Sequence, residues 1–305
     1  MTGMSGMELA EANELNEVVT TKVARSRGAI VWARLRRAKR FWIGAIVILL
    51  LVLWAAVGPL FYQWDPVEQD AYNLNWPPTT LHWFGTNDLG QDIFSQTMQG
   101  LRKSLIIGFV GGLVSTFLSA TIGSFAGYIG GRSDKVIAWF INLMLVLPTL
   151  FVLIILYPVT KGSWIVLTCF LAITSWMVMA QTVRMQTRAL REREFVKASR
   201  YMGFGSWHVI RTHVLPNVMS ILLIDATISI GDVILSETGL SFIGFGVQPP
   251  DVSLGTLLDG GWTAATTRPW LFLFPSGVLV ILLLAINLVG DALRDALDPR
   301  GGGRG

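Results

Sequence analysis

Charged residues are scarce in this 305-residue chain: Asp, Glu, Lys and Arg make up 14% of it, against about a quarter of a typical soluble domain. With hydrophobic residues at 52%, that deficit excludes a disordered chain and argues against a soluble enzyme. The single cysteine, Cys169, rules out an internal disulfide and sits in an apolar run as a small hydrophobe. The three histidines, His82, His208 and His213, have no metal-ligand spacing with it, and His208 and His213 stand at a poor chelating separation. No lysine follows a glycine, as a phosphate-cradling P-loop requires, and no nucleophile–base–orienter set can be assembled. No second domain, low-complexity linker or internal repeat is visible.

What the chain has is aromatic and apolar: 12 Trp, 16 Phe and long hydrophobic runs. A bilayer core takes about 20 apolar residues of helix. Six stretches qualify: Phe41–Phe61, Leu105–Ile129, Val136–Pro158, Trp164–Val183, Val218–Glu237 and Trp270–Val289. The first is too long, and too far from the start, for a cleavable signal. Of the 24 Lys and Arg, all but Arg102, Lys103, Lys161 and Arg268 fall before span one, between two and three, between four and five, or after six. Positive-inside logic then places both termini in the cytoplasm. The basic excess is topogenic, with no aromatic-interleaved platform for nucleic acid. Glu8, Glu11, Glu14 and Glu17 make the start an acidic tail, and the glycines from Gly301 to Gly305 make the end a frayed one. The expected organisation is a tail over 1–40, a first transmembrane helix over 41–62, an external loop over 63–104, a core over 105–294 with a cytoplasmic loop at 184–217, and a tail over 295–305.

The 184–217 loop is too polar to insert and rich in helix formers. It reads Phe195-Val196-Lys197-Ala198-Ser199-Arg200-Tyr201-Met202-Gly203, then His213-Val214-Leu215-Pro216. Two short helices are expected, with a turn at Gly203 and Pro216 starting the next span. The spacing resembles the EAA loop of ABC-importer permeases. Ala198, Gly203, Leu215 and Pro216 fall in register, whereas Lys197 replaces the glutamate, Ser199 the second alanine and His213 an apolar residue. Phe84-Gly85-Thr86-Asn87-Asp88-Leu89-Gly90-Gln91-Asp92, the run from Glu237 to Pro250, the run from Asn287 to Arg300 and Tyr62-Gln63-Trp64-Asp65-Pro66 all resemble the C-type inner-membrane subunit of the dipeptide/oligopeptide (and related nickel) importers. The likeness runs over roughly residues 30 to 300. It implies an all-α, type I importer permease fold with six transmembrane helices. Lys197, Ala198, Ser199, Gly203, Leu215 and Pro216 would then form the ATPase-coupling loop. It also implies a homologous second permease, two ATP-hydrolysing subunits that hold ATP and Mg, and an external substrate-binding protein. No cofactor or metal is expected in this chain itself.

Asp225, Ser229, Asp232 and Ser236 fall on one face of span five. Acids are costly in a bilayer, so this face reads either as a wall of the translocation path or as hydrogen bonds between permease subunits. Asp88 and Asp92 read as caps of span two, or as attracting a cation or an amine. Trp76, Trp83 and Phe84 read as interfacial anchors, and Gly108 with Gly112 and Gly123 with Gly127 as close-packing sites. The resulting expectation is a non-catalytic pore subunit of a short-peptide importer. Nickel chelates or tetrapyrroles are the alternative cargo, and a stand-alone secondary transporter is the alternative class.

Overall fold

The computed structural model describes residues 27–160 and 162–298. The acidic start, Lys22, Arg25, Lys161 and the glycine-rich end lie outside the described residues. All its regular elements are helices: α1 (Arg27–Arg37), α2 (Lys39–Phe61), α3 (Ile93–Ile129), α4 (Gly131–Val146), α5 (Thr149–Thr160), α6 (Trp164–Arg191), α7 (Glu194–Tyr201), α8 (Ser206–Val209), a π-helical turn (Ile210–Val214), α9 (Leu215–Phe242), α10 (Leu254–Trp262) and α11 (Trp270–Leu297). Among the described residues, five helices are long and apolar enough to cross a membrane, or six if α4 and α5, bent by 79° to one another, are counted as one span.

That bend divides the expected third span, Val136–Pro158, in two. Pro148 has no N–H to give and forces Leu147 into extended backbone (ψ 123), so the helix stops and restarts. Span two is also longer than expected. It begins at Ile93 rather than Leu105 because the Asp92 carboxylate accepts the Ser95 amide at 2.7 Å, and the external loop therefore ends there rather than at 104. Span five continues to Phe242 and span six to Leu297, which carries the last helix into the expected tail.

α3 is the central element. Glycines let its neighbours approach: a Cβ on Gly112 would lie 2.8 Å from the Ile230 amide of α9, and one on Gly123 would lie 2.7 Å from the Ala180 carbonyl of α6. Gly108 likewise meets Ile234 of α9, and Gly127 meets Thr187 of α6. α2 packs on α11, with Gly44 against Ala285 and Val289. The apolar core joins Leu101 and Leu105 to Ile230, Ile234, Leu254 and Leu282. Leu49, Leu50, Phe117 and Leu284 remain exposed, as a lipid-facing surface requires.

Candidate functional site

The segment after α6 folds as a compact hook on the end of α3. Val196, Val209, Ile210 and Val214 bury themselves around Tyr128, and the Arg191 guanidinium donates to the Ile129 carbonyl at 3.2 Å. At the same end, Arg184 holds Asp134 of α4 through two hydrogen bonds, the Nη2–Oδ2 one at 2.9 Å. The hook is thus tied to three spans.

α7 ends in a left-handed turn at Gly203 (φ +83), where a Cβ would meet no other atom within 4 Å. The constraint there is conformational rather than steric. Residues 201–208 are all exposed, and they include Tyr201, Met202, Phe204 and Trp207. Phe204 stacks on His208 at 4.7 Å, and Phe195 meets His213 edge-on at 5.9 Å. Large apolar side chains held outward beside Arg200 and Arg211 make a surface fit for a protein partner.

Lys197 and Ala198 are exposed on α7, whereas Ser199 is buried with no partner for its hydroxyl among the described residues. A small side chain is therefore required at 199. Lys197 pairs with Glu192 at 3.0 Å, and that contact holds the Glu192 carboxyl below its ordinary value. Pro216 stands in the first turn of α9, as the sequence expects, but the chain is already helical before it. The helix runs on from Ser206 to Phe242, and the π-helical turn just before Leu215 widens the backbone. The widening makes room for a ring that would otherwise strike the Thr212 carbonyl. The Leu215 amide bonds to the Ile210 carbonyl, and the Asn217 side chain caps the His213 carbonyl at 2.6 Å.

The four polar residues of span five share a face but not an environment. Asp225 turns toward α3 and accepts the Thr116 hydroxyl at 2.8 Å, with Ser229 as a second donor. Asp232 and Ser236 are exposed on this chain. Ser236 lines a cavity of about 490 Å³ with Thr149, Thr174 and Ser175, and the bend at Pro148 is what brings Thr149 there. Glu237, which the helical-face reading passed over, is fully buried. It accepts Ser104 of α3 at 3.2 Å and Ser241 at 2.7 Å, and Ser104 in turn accepts the Leu254 amide of α10. Its one sequence signal is its offset from the polar face by a single residue.

The segment between α2 and α3 is built around His82, also fully buried. Its Nδ1 lies 2.9 Å from Asp92 and its Nε2 lies 3.4 Å from Asp70, with the Trp64 ring tilted against it at 4.5 Å. The Tyr62 hydroxyl donates to Asp92 at 3.0 Å; burial first, and then the Asp92 charge, push this phenol above its ordinary range. Asp88 is exposed and takes no part. The motifs at 62–66 and 84–92 are therefore two halves of one cluster. Phe84 stacks on Phe274 of α11 at 4.1 Å, whereas Trp76 and Trp83 stay partly exposed.

Residues 119–301 match the family described as the binding-protein-dependent transport system inner membrane component. Residues 26–78 match the N-terminal TM domain of oligopeptide transport permease C. The chain is 47% identical over 282 residues to the oligopeptide transport system permease protein OppC of Mycobacterium tuberculosis, covering 92% of this chain and 96% of that protein. It is 34% identical over 293 residues to the protein of the same name from Bacillus subtilis, covering 96% of each.

Proposed function

The chain belongs to the binding-protein-dependent transport system inner membrane components, and from that membership we propose that it is the pore-forming permease subunit of an ATP-driven importer of short peptides. The names of its relatives support the cargo. The observation that carries the mechanism is the hook: an exposed apolar and basic surface built rigidly onto the ends of α3, α4 and α6. Lys197, Ala198, Ser199, Gly203, Leu215 and Pro216 form its coupling segment. ATP and Mg sit on two partner ATPases, which dock on this surface, and chemistry is theirs. Closure of the ATPase pair displaces α7. Because Val196 and Tyr128 share one core and the helix from Ser206 to Phe242 is continuous, the displacement reaches α3 and α9 as rigid-body motion.

A homologous second permease covers the exposed side of α9, where Asp232 and Ser236 face the path, and Asp225 orients that face through Thr116. An external binding protein delivers the peptide on the side of His82. Both termini and the hook are cytoplasmic. The test is reconstitution of this chain with its second permease, ATPases and binding protein in vesicles. ATP-dependent uptake of a labelled tripeptide is expected only from the full set. Uptake by this chain alone, driven by an ion gradient, would make it a secondary transporter and end the proposal.

A further inference from the structure

α1 lies against the end of α11. Leu35 is buried with Ala292 and Ala296, and Val31, Ala38, Phe41 and Leu293 pack around them. Arg34 is committed to this joint, donating to the Ala296 carbonyl at 3.2 Å and the Asp298 carbonyl at 2.9 Å, so it closes the C-terminus of α11. Beside it opens a recess of about 460 Å³ lined by Arg34, Lys39, Arg40 and Asp295, with alanines as its floor. Lys39 and Arg40 are exposed and, like Arg36 and Arg37, make no ion pair among the described residues. Asp295 is the acid at the rim.

The position of this recess decides what it suits. Arg40 is followed along α2 by the exposed Trp42, Ile43 and Ile46, and α1 exposes Ile30 and Trp32. A basic recess is thus followed along the same helix by exposed apolar residues, and the two helices that border it expose Trp32 and Trp42, the residue type that favours the headgroup region. A soluble anion would use only the basic half of this surface. A phospholipid uses both halves.

We propose that the recess between α1, the start of α2 and the end of α11 binds the phosphate of an anionic phospholipid, with the acyl chains on the exposed face of α2. Lys39 and Arg40 are the donors to the phosphate oxygens. The Arg34 contacts hold the recess open, and Asp295 limits affinity by facing the same anion. The bound lipid locks α1 and α2 to α11, which fixes the peripheral span relative to the moving core.

The test uses the assembled importer, purified with its partner subunits, and two fluorescent lipids, phosphatidylglycerol and phosphatidylcholine. A basic residue near an anionic membrane surface is worth about fivefold in affinity, so Lys39→Gln combined with Arg40→Gln should lower phosphatidylglycerol retention by about thirtyfold. Arg132→Gln combined with Lys135→Gln removes the same charge from exposed positions on α4 and should leave retention unchanged. Asp295→Asn should raise it. Equal retention of the two lipids by the wild type would overturn the proposal, as would undiminished phosphatidylglycerol retention in the Lys39/Arg40 variant. Release of the lipid by millimolar inorganic phosphate would make this a free-anion site instead. Loss of the ATPases from the variant with lipid retention intact would make it a protein-docking surface.

Discussion

Gly203 shows how much one backbone angle can carry. Its φ of +83 costs an ordinary L-residue about 1–2 kcal/mol, and a β-branched one more. The space around it is open, so Gly203→Val should fold and insert but misdirect the turn between α7 and α8. The expected result is ATPase activity that persists while peptide uptake falls at least severalfold. Normal uptake would mean that the turn does not transmit motion. Lys197 is a second case. Its sign is opposite to the glutamate of the EAA pattern, and its charge is answered within the hook by Glu192 at 3.0 Å. Lys197→Ala frees Glu192, whereas Lys197→Glu places a further acid beside Glu192 and Glu194. Co-purification with the ATPases at low salt should therefore weaken more for Lys197→Glu than for Lys197→Ala, with the difference closing at high salt. Equal yields at low salt would remove charge at 197 from docking.

Among the elements, the segment between α2 and α3 depends on its carboxylates. Asp70 is held below its ordinary value of 3.8 by the Asn73 amide, the Tyr72 N–H and His82. A depressed folded-state value means a contribution present above 3.8 and lost as pH falls through the depressed value. Protection of the 70–92 amides against hydrogen exchange, relative to their intrinsic rates at each pH, should therefore fall below pH 3.8, and Asp70→Asn should flatten that step. An identical pH profile in the variant would assign the step elsewhere. His82 belongs to the same element. His82→Ala leaves the buried Asp92 with only Tyr62 and Ser95 as donors, a loss of about 1–3 kcal/mol on the scale of a buried polar group deprived of a hydrogen-bond partner. A lowered melting temperature should accompany it.

For the whole molecule, the arrangement of spans predicts sidedness. In a Cys169→Ser background, cysteines at Tyr72 and Thr266, both exposed, should react with an impermeant reagent added outside intact cells. One at Ser133, also exposed, should not. The contrast between Ser133 and Thr266 requires the bent α4–α5 pair to cross the membrane once, and a reversed pattern would invert the topology. Much of this plan is legible in the chain itself. Hydrophobic runs report membrane crossing, because the bilayer imposes a length rule on each segment separately, and the placement of arginines supplies the expected sidedness. The hook is legible for the same reason: Gly203 and its spacing to Leu215-Pro216 are local features.

Other features needed the assembled fold. The carboxylates around His82 come from positions 70 and 92 and its aromatic neighbour from 64, and no local periodicity links them. Glu237 is buried and Asp232 exposed on the same helix, because α3 covers one side of α9 and leaves the other open. Pro148 marks a break in the sequence, but its 79° bend and the cavity that Thr149 shares with Ser236 are set by neighbours. Local rules acting on each segment thus determine what kind of molecule this is. Which polar groups are buried, paired or left facing outward is decided by packing between segments far apart in the chain, since burial is a property of neighbours and not of the residue.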